Sequence, residues 1–262
     1  MRNVTRTVLG ITLTGALLIA PQNAFAAQPS NSELEAIAAE AMTPLPPALR
    51  TDGEVTTTVT ADTNPDRGLD MCINKDGSGL YLLPPKSAIK STNDVRIANG
   101  ETSNETLTET TVEIARYGSV KEAKKIWMRT VRVLRSKCAG AILVPTWKRT
   151  FDDGTHALWT SAEFNEVTVI SAASGPVGLL TAFVNYESAV EDPTTVTSSW
   201  MIQQYSSWRL AGNTIVRAEF AKLWQPASSG APTDPSAPAI TERMKKAVDR
   251  MARQTARAVA GS

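Results

Sequence analysis

The sequence predicts an α+β fold, in which an antiparallel β-sheet of about six or more strands is flanked by a central and a C-terminal helix and one disulfide joins distant segments. Two segments, near 119–138 and 240–259, place hydrophobic residues at helical spacing. The chain between them alternates hydrophobic and polar residues, as strands do. Of the 262 residues, 42% are hydrophobic and only two are cysteines. These observations favour one globular domain with a sizeable core.

The first 26 residues have the layout of a secretory signal peptide. Arg2 and Arg6 precede an apolar stretch over 8–20, and the small-residue pattern of a cleavage site follows, ending at Ala26. We expect cleavage after Ala26 and a secreted, extracellular product with no stable membrane span. The apolar stretch is shorter than the roughly 20 residues that a bilayer requires, so a retained anchor is the less favoured alternative.

Charge and composition exclude several functional classes. The chain has 27 Lys and Arg against 26 Asp and Glu, a net charge of +1, which gives no global attraction for nucleic acid. Cleavage would leave residues 27–262 as a single domain of net charge −1. One histidine and two cysteines are too few for most metal sites, so we expect neither a metal nor a cofactor.

The N-terminal part of the mature chain predicts a short helix followed by strands. The sequence from Ser32 to Glu35 has the Ser-x-x-Glu form of a capping box, which predicts a helix over about 32–42. Prolines at 44, 46 and 47 end this helix, because proline lacks the amide donor. β-branched and aromatic residues predict strands over 54–62, 81–83 and 106–114.

The clearest helix runs from Ser119 to Cys138, with Gly140 just beyond it. At about 100° per residue, one side of this helix is apolar and is expected to face the core. That side carries Val120, Ala123, Trp127, Val131, Leu134 and Cys138. The opposite side is strongly basic.

After this helix the pattern changes to alternation and predicts six consecutive strands in an antiparallel meander. They span 142–148, 157–164, 167–173, 177–186, 199–208 and 214–224, with a turn at 152–154. In the last strand, Val216, Ala218 and Phe220 are expected to face the core, whereas Arg217 and Glu219 are expected to face water. A loop rich in proline and serine follows over 226–238, and then the C-terminal helix.

Two cysteines in an exported chain favour a disulfide, because the compartment is oxidising and an even number leaves no free thiol. We expect Cys72 to pair with Cys138, which would tie the basic helix to the early strands. A redox-active thiol is the alternative, and it lacks the Cys-x-x-Cys spacing.

Two stretches of the chain resemble a known family. Residues 112–140, VEIARYGSVKEAKKIWMRTVRVLRSKCAG, read as a strand, a helix with a central tryptophan and a helix end with Lys-Cys-Ala-Gly. Residues 200–216 read as a hairpin with an asparagine at its tip. Both stretches are similar to the extracellular sensor domain of mycobacterial PknH-type serine/threonine kinases, a domain that also occurs in secreted actinobacterial proteins.

This resemblance implies an antiparallel sheet flanked by helices, with a cleft for ligand sensing. The family usually has two disulfides; Cys72 and Cys138 fall where the first would lie, and the second is missing, so the chain resembles a divergent member. It implies no kinase activity, because the chain has neither a glycine-rich loop nor a His-Arg-Asp motif.

The sequence contains no evident catalytic set. His156 is the single histidine, and no Gly-x-Ser-x-Gly motif supplies a nucleophile for it. The acid pairs Glu163 with Glu166 and Glu187 with Glu191 could hydrolyse glycosides only if the fold sets them across a cleft. We therefore expect no catalytic residues, and an extracellular hydrolase acting through cleft carboxylates is the alternative.

The charges are strongly segregated along the chain. The helix over 119–138 has a net charge of +6 and residues 239–259 have +4, which leaves −11 for the rest of the mature chain. If both helices pack on one side of the sheet, they form one basic face that attracts anionic wall polymers. The candidate anion-binding residues are Lys121, Lys125, Arg129, Arg132, Lys246, Arg250, Arg253 and Arg257. Ordinary solvated helix sides are the alternative.

These observations predict a secreted, non-catalytic, sensor-like or ligand-binding protein of the cell envelope. The expected partner is a small molecule or an anionic cell-wall polymer, and nucleic acid is not expected. The alternatives are the extracellular hydrolase and an adhesion module that uses the two basic helices.

Overall fold

The computed structural model describes residues 29–51, 54–63, 65–66, 68–73, 78–97, 106–150, 156–189, 196–224 and 240–261. The expected signal peptide at 1–26, the turn at 152–154 and the loop at 226–238 lie outside these residues. Among the described residues, no helix is both long enough and apolar enough to span a lipid bilayer.

Three α-helices, one short 3-10 helix (Pro47–Leu49) and ten strands make up the regular structure of the described residues. The helices are α1 (Asn31–Ala41), α2 (Val120–Val133) and α3 (Glu242–Gly261), and a π turn over Leu134–Cys138 extends α2. The strands are β1 (Glu54–Asp62), β2 (Asp70–Ile73), β3 (Gly79–Tyr81), β4 (Ser87–Ile97), β5 (Thr106–Arg116), β6 (Gly140–Thr150), β7 (His156–Val169), β8 (Val177–Ala189), β9 (Val196–Ala211) and β10 (Thr214–Trp224).

Eight of these strands form one sheet in the order β1-β4-β5-β10-β9-β8-β7-β6, and every neighbouring pair is antiparallel. The strands β2 and β3 form a separate hairpin. The predicted α+β fold, with its antiparallel sheet and its central and C-terminal helices, is therefore confirmed.

The meander after α2 has five strands instead of the six expected. The segments 157–164 and 167–173 are not two strands, because β7 runs without a break from His156 to Val169. The polar residues at the expected break belong to the sheet: Asn165 is buried and accepts a hydrogen bond from the hydroxyl of Thr181 on β8 at 2.6 Å. Asn165 therefore belongs to a buried polar pair within the sheet, although in the sequence it interrupts the strand pattern.

Two strands were missing from the sequence prediction, and one was displaced. The strand β4 contains Asn93-Asp94, a pair typical of turns, and β2 has only four residues. The strand expected over 81–83 is β3, which ends at Tyr81. Leu82 follows it and still donates a backbone hydrogen bond to Leu69 at 2.9 Å.

The first helix begins one residue earlier than expected and has a different cap. Ser30, not Ser32, is the capping residue: its hydroxyl accepts from the amide of Glu33 at 3.2 Å, and the Glu33 carboxylate accepts from the amide of Ser30 at 2.6 Å. Both serines have an acid three positions later, so the sequence alone offered two registers.

Helices cover both faces of the sheet. On one face, α1 and α3 pack against residues such as Ile114, Val216 and Phe220. On the other face, α2 and the β2–β3 hairpin pack against Ala115, Trp208 and Ile215. Because successive strand residues point to opposite faces, both sides of β10 are buried.

The predicted disulfide is present and joins two elements of the second face. Cys72 on β2 and Cys138 at the end of the π turn are bonded, with their Cα atoms 5.7 Å apart. The bond fixes the β2–β3 hairpin to the end of α2 across 66 residues of sequence.

Candidate functional site

The helix α2 is held firmly to the sheet, so its outer side has a fixed position. The hydroxyl of Ser119 accepts from the amide of Glu122 at 3.1 Å and caps the helix. Trp127 is fully buried, and its Nε1 donates to the carbonyl of Ala172 at 2.9 Å. The expected apolar side is buried except for Val120, the first residue of the helix, which is 45% exposed; the buried side also includes Ile126 and Thr130.

The outer side of α2 carries a dense group of cations. Six of them are exposed and will be called the α2 basic surface: Lys121, Lys124, Lys125, Arg129, Arg132 and Arg135. Among the described residues, none of the six takes part in a salt bridge. The acid of this helix, Glu122, is occupied elsewhere, because its carboxylate accepts from the amide of Gly118 at 2.8 Å. Met128 lies within the surface and is 50% exposed.

The helix α3 carries a second group of exposed cations, but on the other face of the sheet. They are Arg243, Lys246, Arg250, Arg253 and Arg257. The buried residues of α3 belong to the same cluster as Val216, whereas those of α2 belong to the cluster of Ile215, the preceding residue on β10. The condition for one basic face, that both helices pack on one side of the sheet, is therefore not met. Hydrophobic periodicity gives each helix a buried side but does not say which face of the sheet that side covers.

A buried cluster of charges lies on the α2 face, and the sequence placed its residues in water. Arg217 is only 8% exposed, and its Nη1 donates to Glu113 on β5 at 2.7 Å. Its Nη2 donates to Glu219, two residues along β10. The guanidinium also lies over the ring of Trp208, with Cζ 5.2 Å from the ring centroid. The expected solvent-facing side of β10 is buried because α2 and the β2–β3 hairpin cover it.

The charges in this cluster do not balance, because the one cation, Arg217, pairs with two carboxylates, Glu113 and Glu219. Burial raises the pKa of Glu219; the charge of Arg217 opposes this effect, and the carboxylates of Glu113 and Glu109 add to it. Burial also acts to lower the pKa of Arg217, but its two carboxylate partners outweigh burial and raise that pKa above its usual value. A signal for the cluster is present in the sequence, because Arg217 and Glu219 are two residues apart and so share a face of the strand.

Glu163 is buried as well and connects the sheet to the β2–β3 hairpin. Its carboxylate accepts from the side-chain amide of Asn165 and from the backbone amide of Ile73, the second at 3.4 Å. Burial raises its pKa, while both hydrogen bonds act to lower it. Because Ile73 follows Cys72, this contact lies next to the disulfide.

The structure does not set the acid pair Glu163 and Glu166 across a cleft. Glu163 is buried on the α2 face, and Glu166, three residues along the same strand, is exposed on the other face. Glu113 and Glu219 are close together, but Arg217 occupies both. The pair of Glu187 and Glu191 lies outside the described side chains.

A recess of about 640 Å³ opens beside the buried cluster, between β1, β4 and the chain that enters β2. Its charged lining residues are Asp62, Asp66, Asp70, Lys90 and Glu113. The side chain of Glu113 is 12% exposed, so it connects the Arg217 cluster with this recess. Glu219, the carboxyl group with the raised pKa, does not line the recess.

His156 lies at the start of β7 and is exposed, and its Nδ1 forms a hydrogen bond with the hydroxyl of Thr150 at 3.1 Å. In the described part of the chain, no three side chains of His, Cys, Asp or Glu are grouped closely enough to hold a metal ion.

Comparisons with known proteins find solved structures with a similar overall fold. No protein-family model matches the chain, and no curated protein matches it. The structure is similar to the extracellular domain of PknH from Mycobacterium tuberculosis, with 11% identity and a TM-score of 0.43 over 90% of this chain and 98% of that chain. It is also similar to the Rv0999 ortholog from Mycobacterium smegmatis, with 10% identity and a TM-score of 0.33 over 88% of this chain and 98% of that chain.

The first of these structures represents the family that residues 112–140 and 200–216 resemble. Both TM-scores are below 0.5.

Proposed function

We propose that this protein acts outside the cytoplasm as a non-catalytic binding protein of the cell envelope, and that the α2 basic surface binds its anionic polymers. The observation that carries the proposal is the set of six exposed cations on one side of α2, which form no salt bridge among the described residues. Binding of this kind is also the first step of the sensor-like role that the family resemblance implies.

The electrostatics of the surface favour an extended anionic partner. Each Lys or Arg near an anionic surface contributes on the order of 1 kcal/mol, so six in one place attract a polymer that can contact several at once. The disulfide and the buried Trp127 hold the helix in place, so binding need not order the helix first. The export expected from the pattern at 1–26 would put this surface in reach of wall polymers.

Charge reversal on α2 tests the proposal. A variant with Lys121→Glu, Lys125→Glu and Arg132→Glu is compared with wild type on a column of immobilised polyphosphate and on isolated cell-wall polymer. We expect the variant to elute at much lower salt, because three attractive charges become repulsive and exposed charges are screened by salt.

A matched variant shows whether position or only net charge matters. Arg243→Glu, Lys246→Glu and Arg250→Glu change the charge by the same amount on exposed residues of α3, on the other face of the sheet. This variant should elute close to wild type. Equal losses in both variants, or no loss in the α2 variant, would contradict the proposal, and so would turnover of the bound polymer by the purified protein.

A further inference from the structure

Arg209 on β9 is held in a confined place on the α3 face of the sheet. The loop before β8 packs beside it: the amide of Leu210 donates to the carbonyl of Ser174 at 3.0 Å, and a Cβ atom added to Gly175 would lie 3.4 Å from Cγ of Arg209. The Nε of Arg209 is buried and has no hydrogen-bond partner among the described residues. A buried donor without an acceptor costs free energy, so this atom can gain from a partner that the described residues do not supply.

The packing of α3 on β9 brings two further arginines opposite Arg209. The hydroxyl of Tyr205 donates to Oδ1 of Asp249 at 3.0 Å, which fixes the register of the helix on the strand. Arg209 is four residues beyond Tyr205, about 13 Å along a strand. Arg257 is eight residues beyond Asp249, about 12 Å along a helix, and Arg253 lies halfway. The charges of Arg253 and Arg257 act on Arg209, so both arginines lie near it, beyond the Tyr205–Asp249 hydrogen bond.

The charges at this place do not balance. Burial lowers the pKa of Arg209; Asp249 opposes this effect, and the charges of Arg253 and Arg257 add to it. Among the described residues, Asp249 is the one acid that acts on Arg209, and it already accepts the Tyr205 hydroxyl. Arg253 and Arg257 are exposed and form no salt bridge within the described ranges. Three cations around one anion leave a net positive charge at this place, which favours an anionic partner.

We propose that Arg209, Arg253 and Arg257 form a binding site for a single phosphate group, carried either by a small molecule or by a wall polymer. Guanidinium groups donate paired hydrogen bonds to phosphate oxygens, and the unpartnered Nε of Arg209 is one of the donors. A bound phosphate would also remove the repulsion among the three arginines. The site goes beyond the proposed function, because it lies on the opposite face from the α2 basic surface and takes one group with defined stoichiometry.

Titration with inorganic phosphate tests the site. Binding to the purified protein is followed by calorimetry and by amide chemical shifts, with sodium chloride keeping the ionic strength constant. We expect saturable binding of one phosphate to wild type. Arg209→Gln should weaken it by about tenfold to a hundredfold, because hydrogen bonds to a charged group are lost. Absence of saturable binding in wild type, or unchanged affinity in Arg209→Gln, would overturn the proposal.

Arg243→Gln is the matched control, because it removes one exposed arginine from the same helix about 21 Å before Arg257. Its affinity for phosphate should stay within about twofold of wild type, since exposed charges beyond a Debye length are screened. Arg209→Lys keeps the charge but loses the fork of the guanidinium, and it should also bind more weakly. An equal loss in Arg243→Gln, or full affinity in Arg209→Lys, would contradict a built site.

Two further ligands identify the source of the phosphate. Glycerol phosphate and a short polyphosphate are titrated against wild type and Arg209→Gln. Weaker binding of either ligand by the variant supports the site. The ligand that binds wild type more tightly identifies whether the phosphate comes from a small molecule or from a polymer. The triple α2 variant should bind inorganic phosphate as wild type does. Loss of phosphate binding in that variant would contradict a separate site, whereas its polymer retention tests the proposed function alone.

Discussion

The buried Arg217 cluster provides the most direct test of the structure, through the substitution Arg217→Met. Methionine has a similar length and no charge, so the change removes the cation and leaves Glu113 and Glu219 buried without it. The cation–π contact with Trp208, at 5.2 Å, is lost as well. Removing one partner of a buried ion pair costs about 3–5 kcal/mol, because the remaining charge is uncompensated. We expect a loss of this size at pH 7, which is a large part of the roughly 5–15 kcal/mol that stabilises a typical domain.

The loss should depend on pH in a defined direction. Without Arg217, burial and the charge of Glu113 raise the pKa of Glu219 in the folded state with no cation to oppose them. A carboxyl group whose folded pKa exceeds its unfolded pKa binds more protons when folded, so stability falls as pH rises from the unfolded to the folded pKa. The penalty of Arg217→Met should therefore be larger at pH 7 than at pH 5.

Urea unfolding followed by tryptophan fluorescence at both pH values measures this difference. A control variant combines Arg217→Met with Glu113→Gln and Glu219→Gln, which removes all three charges together. It should recover most of the lost free energy of unfolding at pH 7, because no charge is left buried alone. A penalty below about 1 kcal/mol at pH 7, or an equal penalty at both pH values, would refute the buried cluster.

Two further predictions concern the β2–β3 hairpin. Replacing Cys72 and Cys138 by alanine should lower the free energy of unfolding by about 4 kcal/mol, because the disulfide closes a loop across 66 residues and limits the entropy of the unfolded chain. Urea unfolding of the variant, beside wild type treated with a reductant, measures this loss. A loss below about 1 kcal/mol would contradict this stabilisation. Burial raises the pKa of Glu163, so its ionisation makes wild type less stable as pH rises from the unfolded to the folded pKa. Glu163→Gln should remove that contribution, and identical stability curves for variant and wild type between pH 4 and 7 would show that Glu163 is not buried as described.

Local sequence patterns predicted the secondary-structure elements that are determined by a single segment of the chain. The helix from Ser119 to Cys138 was predictable because its cap, its apolar side and its basic side all lie within 20 residues, and the structure adds only the π turn at its end. The meander was predictable because each strand pairs with the next one along the chain. The disulfide followed from the count of cysteines together with the expected export.

The positions of the basic residues show what such patterns leave open. The buried side of each of α2 and α3 was predicted correctly, so the exposure of Lys125 and Arg250 followed from hydrophobic periodicity. The face of the sheet that each helix covers depends on contacts between distant segments, for which the sequence carries no local signal. The convergence of Arg209 with Arg253 and Arg257 depends on the same contacts, which is why Arg209 was not among the expected anion-binding residues.

Because both faces of β10 are buried, the alternation of apolar and charged residues predicts the wrong environment for Arg217. In a strand that is wet on one side, apolar residues alternating with Arg217 and Glu219 indicate solvent exposure for the charged pair. Here the pairing of β10 with β5 sets Arg217 opposite Glu113, more than 100 residues earlier, and the pairing with β9 sets it opposite Trp208. The charge of Arg217 is therefore compensated by carboxylates of the sheet itself. An arginine and a glutamate two apart on a central strand are thus as consistent with a buried ion cluster as with a solvated face, and only the strand order distinguishes the two.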